Sequence, residues 1–300
     1  MPSNLLSHDE LREGLSSPEF VEKNAFSIMR SLCSLCGDES QIDLLQDFVL
    51  RLLEHRDKLE AYQQIVDSLV REVGLFPFLE PDELSFFDRI AYEYHKPINM
   101  EDTNIVCHRP QARVYRELMM GKNIILSAPT SFGKSLIIDA IAAANKFKNI
   151  LIIVPTIALI DETRRRLSRF ANRYKIITHA FQKRGEQNIF VLTQERLLEL
   201  EDIDDIEFFV IDEFYKLSTD REGTERASLL NQAFYKLAKK QRQFYMLGPS
   251  VTGITSDTQI RMEFTFVHEP YKTVVSQLHD VPKSNDKFKD LADLCRSLTG

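Results

Sequence analysis

Apolar residues recur at spacings of three and four from Gln41 to Val73, through Leu44, Leu45, Phe48, Val49, Leu52, Leu53, Leu59, Tyr62, Ile65, Val66, Leu69 and Val73. That period keeps them on one stripe of a helix or helix pair. Glycine is scarce here and strand-like alternation is missing, so residues 1–100 are expected to form a helical accessory region packed on the rest of the chain. After Lys96-Pro97 the texture changes. Short, almost continuously apolar runs alternate with helical stretches: Asn123 to Ala128, Ile150 to Val154, Lys175 to His179, Ile189 to Thr193, Phe208 to Ile211 and Phe244 to Leu247. Runs of this kind suit strands buried on both faces of a parallel sheet. The helical stretches between them, Ser135 to Phe147, Ile157 to Tyr174 and Thr224 to Lys240, predict an α/β unit over 101–280 with right-handed crossovers. Met262 to Phe266 alternates and is expected to extend the sheet at an edge. Residues 281–300 read as a linker and the start of a further unit.

Composition bounds this picture. The 300 residues are 43% hydrophobic with a net charge of −7, ordinary for a globular protein and mildly against a free-standing nucleic-acid binder. A locally basic cleft on an acidic body remains compatible with that sum. No apolar run reaches the roughly 20 residues that span a bilayer, and MPSNLLSHDELREG carries no secretory signal, so no membrane partner and a cytoplasmic setting are expected. Cys33 and Cys36 form a CxxC without a second ligand pair, so they are read as small apolar residues of a helix and not as a zinc site.

The densest chemistry is Asn123-Ile-Ile-Leu-Ser-Ala-Pro-Thr-Ser-Phe-Gly-Lys-Ser135. An apolar strand enters a turn, and Gly-Lys-Ser opens an apolar helix. Convergent main-chain N–H groups and a helix N-terminus suit phosphate. Ala128, Pro129, Thr130, Ser131, Phe132 and Gly133 would form the cradle. Lys134 would supply charge to the β- and γ-phosphates, and Ser135 a hydroxyl for Mg²⁺. Phe208-Phe-Val-Ile-Asp-Glu-Phe-Tyr215 then places a carboxylate pair at a strand end, where α/β sheets bind ligands. Asp212 would hold the Mg²⁺ shell and Glu213 would orient or deprotonate the attacking water.

Together these elements resemble superfamily 2 DExD/H-type helicases, nearest the Ski2-like and DEAD-box groups, over roughly residues 105 to 280. The resemblance implies a RecA-like P-loop domain with a mostly parallel sheet. It places Ala128 where this family often has alanine. It makes His108-Arg-Pro-Gln111 the adenine-reading element, with Gln111 offering both an acceptor and a donor. It makes Val154-Pro155-Thr156 a nucleic-acid backbone contact, with Pro155 and Thr156 at the start of a helix, and Thr193 of Val191-Leu-Thr-Gln-Glu-Arg-Leu197 a second such contact. Arg164, Arg165, Arg166 and Arg169 on the following helix are read mostly as a solvated basic face. Leu247-Gly-Pro-Ser250 stands where the family couples ATP to its second motor domain, through Gly248 and Ser250. Ser131, Phe132, Phe214-Tyr215 and Gly248-Pro249 depart from the usual pattern and suggest a divergent subgroup, such as bacterial helicases of antiphage defence.

The resemblance thus implies an ATP- and Mg²⁺-dependent motor half acting on DNA or RNA. A second RecA-like domain, expected beyond Gly300, would complete the site with arginine fingers. The alternative is a nucleotide-gated module that controls a partner such as a nuclease. In either case the N-terminal helical region could dock a protein partner. A transporter-type ATPase would need an L-S-G-G-Q signature, which the chain lacks.

Overall fold

The structure is a computed structural model, and it describes residues 5–100, 105–200, 202–218, 224–249, 251–254, 263–271 and 273–274. The expected stretch from Gln41 to Val73 forms two helices, α3 (Ile42–Leu53) and α4 (Gln63–Glu72), after α1 (His8–Gly14) and α2 (Pro18–Cys33) and before α5 (Phe86–Tyr94). The polar segment Glu54-His55-Arg56-Asp57-Lys58 interrupts the stripe, and two short 3-10 turns fill the gap. Helix starts carry their own caps. Ser7 and Glu10 form a reciprocal capping box, and Ser17 accepts from Phe20 N with Pro18 in the first turn, each satisfying donors that the helix itself cannot.

From α6 (Arg109–Met119) onward, strand and helix alternate: β1 (Ile124–Ser127), α7 (Lys134–Ala144), β2 (Asn149–Ile153), α8 (Ile157–Leu167), β3 (Lys175–Ile177), β4 (Asn188–Leu192), α9 (Gln194–Leu198), β5 (Phe208–Asp212), α10 (Thr224–Ala238), β6 (Gln243–Gly248) and β7 (Thr265–His268). The strands pair in the order β3-β4-β2-β5-β6-β1-β7, every pairing parallel. Central strands β2 and β4 are buried along their whole length, as suits sequences that are apolar after the first residue, Asn149 or Asn188. Two expectations shift. The edge strand lies at Thr265–His268 and not at 262–266. The helix begun at Ile157 ends at Leu167, followed by a 3-10 turn over Ser168–Phe170. Residues 281–300 and Ser250 lie outside the described residues. Among those described, no helix is long and apolar enough to cross a membrane, and no cluster of three or more His, Cys, Asp or Glu residues is placed to hold a metal ion. Exposed Cys33 and Cys36 sit at the end of α2 and just beyond it.

One apolar cluster runs from α1 through α4 into one face of the sheet, joining Leu11, Phe48 and Val70 to Ile124, Ile152 and Tyr245. The seam is also polar. Arg109 donates from its main chain to Gly74 O at 2.9 Å, and its guanidinium donates to Glu72 O at 2.9 Å and Arg71 O at 2.6 Å. It thereby satisfies the carbonyls that end α4. Tyr271, just past β7, donates its hydroxyl to Val73 O at 3.0 Å.

His108 lies in this seam, between the rings of Phe78 and Tyr271. Burial pushes its pKa down to about 4. The unfolded imidazole titrates near 6.5, so between these values the unfolded chain binds more protons. The stabilisation is therefore complete above pH 6.5 and lost as pH falls towards 4, by about 3 kcal/mol at most. Denaturant unfolding across that range should show this slope in the native chain and a smaller one in His108→Gln. Equal slopes in the two would contradict it.

Candidate active site

Because all strands run the same way, every β-to-α turn opens at one edge of the sheet, the edge where such folds bind ligands. Three adjacent strands bring the candidate residues there. β1 delivers the loop from Ala128 to Gly133, β6 delivers Gly248, and β5 delivers Asp212 and Glu213. Ala128 N donates to Gly248 O at 3.0 Å, which locks the loop's first residue onto β6. The buried Ser127 hydroxyl accepts from Val251 N at 2.7 Å.

The loop's conformation explains its departures from the family pattern. Gly133 has φ +73°, the left-handed region that glycine enters without strain, and a Cβ there would sit 2.7 Å from the Gln111 amide nitrogen. Phe132 is fully buried. Its ring anchors the loop in the core, leaving only its main chain to the cradle. Thr130 and Ser135 are exposed, and Ser131 O accepts from the Thr273 hydroxyl at 2.7 Å. Gln111 is 3% exposed. Its carbonyl accepts from His108 N at 2.8 Å and its amide donates to Phe132 O. The side chain therefore ties the start of α6 to the loop. These two bonds use one of its two amide hydrogens and one of its two acceptor lone pairs.

Lys134 Nζ donates to two carbonyls of its own loop, Ala128 O at 2.9 Å and Pro129 O at 2.8 Å. Phosphate oxygens would take the place of these acceptors. Burial lowers its pKa, and the Asp212 charge acts the other way. Asp212 is raised, first by burial and then by the Glu213 charge. The Glu213 main-chain N–H, Lys134 and Arg166 counter this. The strand order β5-β6-β1 sets the loop after β1 and the carboxylate that ends β5 at the same edge of the sheet, one strand apart. The donor set fits a magnesium nucleotide: an ammonium and the N-terminus of the 11-residue helix α7 for phosphates, and a hydroxyl (Ser135) and a carboxylate (Asp212) as hard oxygen ligands.

Glu213 holds φ +59° and ψ +48°, uncommon for a side-chain-bearing residue and costing of order 1–3 kcal/mol. Its carboxylate pairs with Lys216. Phe214 is buried, and a Cβ on Gly248 would stand 3.0 Å from its ring and 3.3 Å from that of Tyr215. The glycine at 248 and the aromatic pair after Glu213 are thus matched departures.

Along the same edge, Pro155 is buried, and its carbonyl accepts from Arg226 at 2.7 Å. Thr156 is exposed and caps α8, its hydroxyl accepting from Leu159 N at 3.3 Å. Thr193 is 4% exposed, with its hydroxyl bonded to Glu195, which Arg226 also reaches at 3.1 Å. A cleft of about 270 Å³ lies between these turns, lined by Val154, Pro155, Gln194, Asp212, Tyr215 and Arg226 among others.

The basic face expected on α8 divides. Arg164 and Arg165 are exposed and pair with Asp161. Arg166 and Arg169 instead turn inward onto Asp139 of α7. Both keep part of their surface in solvent, 26% and 36% exposed, yet they pair inward because a carboxylate 4% exposed in an apolar helix requires compensating charge. The signal was available in Asp139, the one charge between Leu136 and Ala144.

Comparison with known proteins matches two families to separate parts of the chain. Residues 1–89 match the family described as "Anti-bacteriophage protein B N-terminal domain", and residues 108–256 match "DEAD/DEAH box helicase". The chain is 36% identical to "Anti-bacteriophage protein B" of Escherichia coli (strain K12) over 310 aligned residues, 97% of this chain and 41% of that protein. It therefore spans less than half the length of that curated relative. Among solved structures, "DUF1998 helicase MrfA bound to DNA and AMPPNP" shares 15% identity at a TM-score of 0.45, over 59% of this chain and 29% of that one. "Sulfolobus solfataricus SWI2/SNF2 ATPase core in complex with dsDNA" shares 20% at 0.38, over 55% and 36%.

Proposed function

Because residues 108–256 form a DEAD/DEAH-box helicase domain behind an N-terminal domain of the anti-bacteriophage protein B type, we propose that the chain is the ATP-binding motor half of a nucleic-acid-dependent ATPase, acting in defence against phage. The observation that supports the reading is the placement of Lys134 and Asp212 at one edge of the sheet, delivered by the loop after β1 and by the end of β5 with only β6 between them.

In this reading the loop from Ala128 to Gly133 and the start of α7 cradle the phosphates, and Lys134 neutralises their charge. Ser135 and Asp212 hold Mg²⁺, which when bound spreads the charge developing on the γ-phosphoryl group. Glu213 orients the attacking water and accepts its proton. Gln111 holds the loop in shape and offers its remaining hydrogen-bonding capacity to adenine. The exposed start of α8, at Thr156, receives a nucleic-acid phosphate on its main-chain N–H groups. Pro155 and Thr193 shape that surface from below, Thr193 through Glu195. Gly248, packed under Phe214, relays the state of the site to a second RecA-like domain of the whole protein.

The test is ATP hydrolysis by the full-length protein with and without single- and double-stranded DNA and RNA. Stimulation by at least one of the four, by tenfold or more, is expected. Mg-ATP binding with no hydrolysis under any of these conditions would replace the motor by a nucleotide-gated switch.

A further inference from the structure

Helix α7 carries the phosphate-binding residues on its first turn, and it is gripped along one side by arginines from α8 and the segment after it. Arg166 Nη1 donates to Ser135 O at 2.6 Å and to Asp139 Oδ1 at 2.8 Å. Arg169 donates to the other oxygen of Asp139. Arg173 donates to Ala143 O at 3.0 Å, near the helix's other end. Only Arg166 lies on α8, while Arg169 and Arg173 reach α7 from the 3-10 turn and the further turn that follow it, and Arg164 and Arg165 face solvent. Asp139 is 6% exposed at its side chain and Arg166 26%, so this pair is shielded from solvent screening as a surface pair is not.

The placement of Arg166 has a consequence for the site. It holds the main chain of Ser135, the residue proposed to ligate Mg²⁺ through its hydroxyl, and its charge also reaches Asp212. Its own helix is capped by Thr156, on the surface proposed for nucleic acid. Eight residues lie between Ile157 and Arg166, within one 11-residue helix, so a shift of the helix start moves the guanidinium with it. Strands β1 and β2, which precede α7 and α8, are not neighbours in the sheet. The two helices are therefore not tied together by a ladder at that point, and the Arg166–Asp139 contact bridges them directly.

We propose that Arg166, seated on Asp139 and Ser135 O, is the positioning residue that transmits nucleic-acid engagement at the start of α8 to the magnesium side of the nucleotide site. This rests on the motor reading only for the identity of the two ligands. Arg169 and Arg173 hold α7 in place, and Arg166 alone touches the residue that would ligate the metal.

The experiment measures coupling between ligands and not turnover. Affinity of the full-length protein for a fluorescent ADP analogue with Mg²⁺ is determined with and without saturating oligonucleotide, for the wild type, Arg166→Ala, Arg166→Lys, Asp139→Asn and Arg164→Ala. In the wild type, oligonucleotide should change nucleotide affinity by roughly 5- to 150-fold, the usual span of such coupling. Arg166→Ala and Asp139→Asn should reduce that factor to within about twofold of unity, while nucleotide affinity without oligonucleotide stays within about threefold of the wild type. Arg166→Lys should restore part of it, and Arg164→Ala should couple as the wild type does. Asp139→Asn keeps the side-chain volume, so it reports even if Arg166→Ala fails to fold. Undiminished coupling in a folded Arg166→Ala or Asp139→Asn overturns the proposal, as does a wild type whose two ligands do not influence each other. A wild type that couples the ligands without hydrolysing ATP overturns the motor reading and leaves the positioning role standing.

Discussion

Glu213→Gln is expected to leave Mg-ATP binding within a few-fold of the wild type and to lower the rate of hydrolysis by roughly 10² to 10⁴, the range that a positioned general base contributes. Glutamine keeps the length of the side chain and can still hydrogen-bond a water, but it cannot take the water's proton. Two side effects are small. The lost ion pair with Lys216 lies at the surface, the two side chains being 31% and 43% exposed, and such pairs contribute about 0–1 kcal/mol. The left-handed backbone at Glu213 costs glutamine about what it costs glutamate, since both carry a Cβ. A single-turnover assay beside an equilibrium binding measurement separates the two effects. If the variant hydrolyses ATP at the wild-type rate, Glu213 does not activate the water. If hydrolysis is lost while the protein still performs its role in the cell, the site is a switch that reads nucleotide binding.

Lys134→Ala is expected to act earlier and more severely. The ammonium supplies the site's mobile positive charge, and hydrogen bonds to a charged group are each worth about 1.5–3 kcal/mol, so nucleotide affinity should fall by roughly 10- to 100-fold. Stabilisation of charge that develops only in the transition state is a further loss of about 10² to 10³ in rate. The fold should survive, because Lys134 contributes no apolar burial to the core and its two hydrogen bonds fall on carbonyls of its own loop. Isothermal titration with a non-hydrolysable ATP analogue measures the first effect, and steady-state hydrolysis the second. Binding of unchanged affinity would mean that phosphates do not sit on the loop from Ala128 to Gly133.

The parts of this architecture legible in the sequence were those set by local physics. The six runs read as strands fall within a residue or two of β1 to β6, because strands buried on both faces admit few polar residues. Gly133 and Lys134 announce themselves because a close main-chain turn and a charge at a helix start need those residue types. What was not legible depended on contacts distant in sequence. Arg166 and Arg169 look like any basic helix face until α7 places Asp139 beneath them. Phe132 looks too large for a phosphate loop until the core receives its ring. Gly248 and Phe214 each break the family pattern alone and make sense only as a packed pair. Tyr271 and Arg109, which join the helical region to the sheet, bond to main-chain carbonyls, and carbonyl positions leave no mark on residue type.

The loop after β1 and the end of β5 are proposed to form one ATP-hydrolysing site driven by nucleic acid. The measurement that tests it most directly is the steady-state rate of ATP hydrolysis by the full-length protein, without nucleic acid and with each of single- and double-stranded DNA and RNA, beside Lys134→Ala. A rate raised tenfold or more by at least one nucleic acid, and absent in the variant, is the predicted result. A rate that no nucleic acid changes, or one that survives in Lys134→Ala, would contradict the account.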